Sequence, residues 1–130
     1  MNDLVLIDSS AWTHAIRRSG DPAVRQRVEH ALEADRAAWC DVVRVELWKG
    51  AGGHEDRSKL NSLETKVPRL PISPAVWDLA CRVADKVRAA GKPMPTSDLI
   101  IFACAKQHRV EIIHFDKHFD MLEQLGIISL

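Results

Sequence analysis

The sequence has no excess charge of either sign: 18 basic and 18 acidic residues cancel, so no long-range field steers the whole chain toward nucleic acid. A phosphate-bearing partner must be attracted locally, and a cation bound by the chain's own carboxylates would supply part of that attraction. Paired cysteines are missing too. Cys40, Cys81 and Cys104 are odd in number, widely spaced and without a C-x-x-C pair, which argues against a disulfide framework and a zinc knuckle and leaves each as a small core residue. No apolar run approaches the roughly 18 residues of a membrane span, and Met1-Asn2-Asp3 carries no basic leader pattern. The expectation is a cytoplasmic chain with no membrane partner. Repeats and low-complexity stretches are absent as well.

What is present is an ordinary globular composition, 46% hydrophobic and 28% charged over 130 residues. Such a chain can bury about two-thirds of its unfolded surface, and one domain spanning residues 1–130 is expected. Leu4 to Ile7 reads as a strand buried on both faces, ending in Asp8. A helical hairpin follows, broken at Ser19-Gly20-Asp21-Pro22 and running on through Glu33. Ala37 to Cys40 reads as a second strand, with Asp41 as N-cap of a helix carrying Val42, Val45 and Glu46 to a stop at Gly50. Residues 52–66 suggest a surface helix on Leu60 and Leu63, and Pro68 to Ile72 a short strand. Pro74 opens a long amphipathic helix that Gly91 ends. After the proline loop at 92–95, Thr96 or Ser97 caps a helix that is apolar nearly all round, with Asp98 in its first turn. Glu111 to Phe115 is the next strand, ending in Asp116. A helix over Lys117 to Gln124, a break at Gly126 and a last strand over Ile127 to Leu130 complete the chain. This order predicts an α/β fold: a parallel sheet with helices on both faces, whose functional crevice lies beyond the strands' carboxyl ends.

Four acids occupy positions from which they can converge there. Asp8 and Asp116 end strands, Asp98 opens a helix, and Glu46 projects from the helix after the second strand. Taken singly, each is more often a cap, a turn former or a solvated helix residue. Their neighbours are apolar, however: Val45, Leu47 and Trp48 around Glu46, Leu99 and Ile100 beside Asp98, Phe115 beside Asp116. Charge avoids such company without a partner. Several carboxylates around one point suit hard Mg²⁺, which keeps water and substrate oxygens in its other positions and can drive phosphodiester hydrolysis.

The segments bearing these acids resemble a known family. Leu4-Val5-Leu6-Ile7-Asp8-Ser9-Ser10-Ala11-Trp12 looks like the N-terminal motif of PIN domains, and Val42 to Gly50 resembles their glutamate motif. Ser97 to Ala105 is similar to the third motif, and His114-Phe115-Asp116-Lys117-His118-Phe119 to the fourth. The length resembles the VapC toxins of type II toxin–antitoxin systems. The resemblance implies a three-layer α/β/α sandwich with a short, mostly parallel sheet. It also implies RNA cleavage dependent on Mg²⁺ or Mn²⁺, frequent homodimerisation, and inhibition by a VapB-type antitoxin. By position, it makes Asp8, Glu46, Asp98 and Asp116 the catalytic, metal-binding acids. Asp8 and Asp98 would hold the ion and Glu46 and Asp116 would reach it directly or through water, with Ser10 in support. The fourth motif departs from the family pattern: His114 replaces its usual Thr or Ser, and His118 stands where a second acid is common. Asp120 is therefore a candidate to share the role of Asp116.

Other residues invite weaker readings. His114 and His118 are four apart, but a strand-to-helix boundary between them breaks the geometry a zinc pair needs. His118 can instead assist proton transfer or contact RNA. Arg17, Arg18, Arg44 and Lys49 lie where they can meet phosphates, with Lys49 favoured because it follows Glu46. Trp12, Trp48 and Trp77 fall on apolar helical faces, and Trp12 can line a groove for an antitoxin helix. Two rival functions remain at this point: a catalytically silent PIN-fold binding module, and an aspartate-based phosphotransfer domain. Ser10 disfavours the latter, since a dehalogenase-type site wants a second Asp there.

Overall fold

Val5, Leu6 and Ile7 are all buried, although successive side chains of a strand point to opposite faces, so this strand is covered on both sides. In the computed structural model, which describes residues 3–126, it is the middle strand of three. The element order is β1 (Val5–Ile7), α1 (Ser9–Ile16), α2 (Pro22–Glu33), β2 (Ala37–Ala38), α3 (Asp41–Gly50), α4 (His54–Lys66), α5 (Pro74–Ala89), α6 (Thr96–His108), β3 (Glu111–Ile113) and α7 (Lys117–Gln124). The strands pair in parallel in the order β2-β1-β3, with Leu6 opposite Ala38 and Ile112. This is the α/β architecture expected. The strand expected over Ile127 to Leu130 lies outside the described residues.

The chain leaves β1 for β2 on one side and later returns past β1 to β3 on the other. Such a reversal opens a crevice beyond the carboxyl ends of the two strands where it occurs, here β1 and β3. The Asp8 N–H donates to the Ile113 carbonyl at 2.9 Å, carrying the pairing to the lip of that crevice. Behind it lies α6, whose Leu99, Ile101, Phe102, Ala103, Cys104 and Ala105 are all buried. Its partner α5 contributes a stripe of Val76, Ala80, Val83 and Val87 and starts as expected with Pro74 in the first turn, while Ser73 supplies the cap. Gly91 adopts φ +66° just past α5, the left-handed conformation that helix stops favour.

Several details differ from expectation, each for a physical reason. Pro68 and Pro71 lack the N–H a ladder needs, and the 68–72 segment makes only one bridge, Arg69 to Trp39. The third strand stops at Ile113, leaving Phe115 54% exposed. Asp41 does not cap α3; Cys40 holds that position without a side-chain bond. The Asp41 carboxylate is taken instead by Arg69 (2.8 Å to each oxygen) and Arg44 (2.8 Å), charge-assisted bonds that outcompete a neutral amide. Neither Thr96 nor Ser97 caps α6, which follows Pro95 directly. Helix α3 buries Val43 and Leu47 four apart, so Val45 falls on the outside, 67% exposed. Trp77 is also half exposed, and Cys81 lies on the surface. Trp39 is wholly buried, tilted against Trp12 with ring centroids 5.7 Å apart.

These placements separate two substitutions by their cost. Phe102→Ala should lower stability by about 3–5 kcal/mol, whereas Val45→Ala should change it by no more than about 0.5 kcal/mol. Urea denaturation of both variants checks this; similar losses would mean that α6 is not the core helix.

Candidate metal centre

Asp8 is 2% exposed although it carries a carboxylate. It caps α1: its Oδ2 accepts the Ser10 N–H at 3.0 Å and the Ser10 hydroxyl at 2.6 Å. The same hydroxyl oxygen accepts the Phe115 N–H at 2.9 Å, so Ser10 joins the chain just past β1 to the chain just past β3. The other Asp8 oxygen, Oδ1, is buried and has no hydrogen-bond partner among the described residues, a state that costs free energy unless something else satisfies it.

Asp98, 7% exposed, sits in the first turn of α6. Asp116 caps α7, and its Oδ1 accepts the His118 N–H at 2.9 Å. The His118 ring reaches both acids, with Nδ1 at 2.9 Å from Asp98 Oδ2 and 3.1 Å from Asp116 Oδ1. One ligand atom from each of Asp98, Asp116 and His118 lies within 4.8 Å of the others. Glu46 approaches from α3, half buried, with Oε1 accepting the Ser9 hydroxyl at 3.0 Å and Ser97 also in reach.

The carboxyls sense one another. Burial raises the pKa of Asp8; the Ser10 hydroxyl and the Ser10 and Ser9 amides oppose this, and the charge of Asp116 adds to it. Burial likewise raises Glu46, against the Ser9 bond and with the charge of Asp8. Asp98 is pushed up to about 6 by burial, with the His118 bond opposing and the charges of Asp116 and Asp8 contributing. The four expected acids therefore surround one crevice, though Asp8 and Glu46 border the triad rather than join it.

The remaining candidates are placed as follows. Asp120 stands outside the cluster, its side chain 70% exposed and 3.6 Å from the His114 ring. Lys49 is exposed in the last turn of α3, close enough to Glu46 to favour its charge. Arg44 is held by Asp41 and Glu64 at 2.8 and 2.9 Å, so it is not free to meet a phosphate. His114 and His118 face different partners, as the boundary between them implies; His114 Nδ1 accepts the Asp116 N–H at 3.3 Å. Sequence reasoning missed Ser9 and Ser97. Two adjacent serines after Asp8 do not reveal that one serves Asp8 and the other Glu46, because that division depends on where α3 lies.

The PIN domain family profile matches residues 5–124. The chain belongs to the PIN-domain family. Among curated proteins it is 31% identical to ribonuclease VapC18 of Mycobacterium tuberculosis over 118 residues, 88% of this chain and 83% of that protein. It is 30% identical to VapC ribonuclease Mb1587 of Mycobacterium bovis over 125 residues, 94% and 93% of the two chains. Among solved structures, its fold is that of VapBC2 from Rickettsia felis bound to a promoter DNA fragment, with a TM-score of 0.75, 15% identity, and 91% and 92% of the chains covered. In this PIN domain the crevice acids form a cluster able to take a divalent cation: the unpartnered Asp8 oxygen, the desolvated Asp98 and the convergent donors of Asp98, Asp116 and His118 all fit one.

The metal-free PIN domain should reveal this cost through pH. The folded chain holds the Asp98 proton more tightly than an unfolded chain with its ordinary 3.8, so the contribution of this group to stability falls as pH rises from about 4 to about 6. Asp8 and Glu46 act in the same direction. Asp98→Asn, which cannot ionise, should therefore gain on the parent chain across that window, by on the order of 1–3 kcal/mol at pH 7 in EDTA. Chemical denaturation of both proteins at pH 4, 5, 6 and 7 measures the difference; a gap that does not grow with pH would refute the charge cluster.

Proposed function

We propose that this PIN domain is the metal-dependent endoribonuclease toxin of a type II toxin–antitoxin pair. The observation that carries this reading is the convergence of Asp98, Asp116 and His118, with Asp8 and Glu46 at its border, in a chain that matches proteins named VapC ribonucleases along most of its length. Mg²⁺ is the proposed cofactor, with Mn²⁺ able to substitute; when bound, such an ion neutralises phosphate charge and generates a nucleophilic water. Asp8 and Asp98 are the proposed principal ligands, with Glu46 and Asp116 direct or through water.

The chain's own groups have separable tasks in this reading. Ser10 fixes the Asp8 carboxylate by engaging one oxygen and leaving the other available. Ser9 orients Glu46. Lys49, exposed near Glu46, receives an RNA phosphate at the rim. Burial raises the pKa of Asp98, Asp8 and Glu46, and a bound cation would lower it, so metal binding favours the ionised forms of these acids.

The proposed partners are RNA, a VapB-type antitoxin and a second copy of the chain, in the cytoplasm. A groove between α1, α2 and α4 supports the antitoxin: Trp12, Ala15, Ile16, Leu32 and Leu63 line it, with Glu29 and Lys59 among its polar neighbours. An amphipathic helix suits such a groove. No helix among the described residues is long and apolar enough to cross a membrane.

RNA cleavage by the parent chain, Asp8→Asn and Asp98→Asn, each with Mg²⁺ and with EDTA, tests the enzyme. The parent should cleave only with metal, and each variant should lose about 100-fold or more, the scale of removing one transition-state stabiliser. Equal cleavage in every sample would overturn the proposal. Antitoxin binding without any cleavage would favour the silent binding module.

A further inference from the structure

We infer that His118 is itself a metal ligand, so that this chain's crevice offers two carboxylate oxygens and one imidazole nitrogen and selects Mn²⁺ over Mg²⁺. The inference rests on reading the acids as a cation site and names a donor which that reading leaves out. Geometry carries it. His118 stands in the first turn of α7, two residues past the Asp116 cap, and its backbone N–H is tied to Asp116 Oδ1 at 2.9 Å. That bond anchors the start of the side chain, and the ring then turns inward, with Nδ1 2.9 Å from Asp98 Oδ2 and 3.1 Å from Asp116 Oδ1. The side chains of His118, Asp98 and Asp116 are 24%, 10% and 30% exposed, so the three donors face one another and not open solvent. The nitrogen lies within hydrogen-bond distance of both oxygens, and a cation placed among them would meet all three.

A second observation points the same way. Asp8, which feels the charge of Asp116 and is felt by Asp98, keeps a buried oxygen near this triad that has no partner among the described residues. A lone imidazole shared by two acids would leave that oxygen unsatisfied, whereas an ion in the crevice has room in its coordination sphere for a further oxygen. Donor chemistry then sets the preference. Mg²⁺ demands hard oxygen ligands and gains little from a nitrogen, while first-row transition ions bind imidazole increasingly well from Mn²⁺ onward. An aspartate at position 118 would have made the site all oxygen.

The experiment loads the full-length chain with Mn²⁺ and records electron spin-echo modulation, which reports a directly bound ¹⁴N. The parent chain should show the modulation of one imidazole, and His118→Gln should lose it along with about 10- to 100-fold in Mn²⁺ affinity by titration. His118→Asp, which restores an oxygen donor, should still bind Mn²⁺ without the nitrogen signal and should lose most of the preference for Mn²⁺ over Mg²⁺. Mn²⁺ bound by the parent without nitrogen modulation overturns this inference and leaves the proposed nuclease standing. Nitrogen modulation that survives in His118→Gln overturns it as well, since another histidine would be the ligand. Failure of the parent to bind Mn²⁺ at all overturns both.

Discussion

Like charges brought together away from water repel, and the crevice at the ends of β1 and β3 gathers four carboxylates that do so. Much of the local structure can be understood as an answer to this repulsion. Asp8 and Asp116 cap α1 and α7, and Asp98 lies in the first turn of α6, so three helix N-termini direct partial positive charge at the cluster. Serine hydroxyls add bonds to Asp8 and Glu46, and the His118 ring spans Asp98 and Asp116. Each helix end contributes only about 0.3–1 kcal/mol. Burial first, and then the charges of Asp116 and Asp8, nonetheless keep Asp98 pushed up to about 6, so these devices offset desolvation and repulsion only in part. The remainder is what a bound cation would relieve.

Holding the acids at short range also demands rigid supports. Ser10 clasps the two strand ends across the crevice through Asp8 and Phe115. Glu46 depends on the placement of α3, and a polar network fixes that helix on α4: Glu64 accepts from Arg44 Nε and Nη2 and from Trp48 Nε1, at 2.9 to 3.1 Å. Pairs so near the surface add little net stability. Their value is orientation, since a bidentate guanidinium and an indole N–H together define one angle between α3 and α4.

The residues that could be read in advance are those whose local pattern and tertiary role agree. The nearly all-apolar α6, the Pro74 start of α5 and the strand ending at Asp8 follow from local chemistry that the packed structure reinforces. Misreadings occurred where two local options competed. Asp41 has the chemistry of a cap, but Arg69 and Arg44, one of them 28 residues away, claim it. Val45 has the hydrophobicity of a core residue, but the rotation of α3 is set by Val43 and Leu47. The site behaves similarly. Its candidate acids could be picked out because Asp8, Asp98 and Asp116 stand at element boundaries and Glu46 on a helix, all beside apolar neighbours, whereas the division of labour between Ser9 and Ser10 and the inward turn of His118 depend on distances between α1, α3, α6 and α7 that no spacing encodes.

A negative crevice in a chain of zero net charge has a consequence for substrate as well as for chemistry. Without a cation, the carboxyl groups gathered in the crevice would resist an RNA phosphate at close quarters, and the neighbouring charge of Lys49 offsets only part of this. With a cation the local field reverses in sign where the phosphate must sit. Metal and RNA must therefore assist each other's binding, and by linkage each raises the affinity of the other by the same factor. The zero net charge, which at first argued against nucleic acid, then becomes intelligible: a bound ion supplies locally the attraction that a basic surface would have spread over the whole molecule.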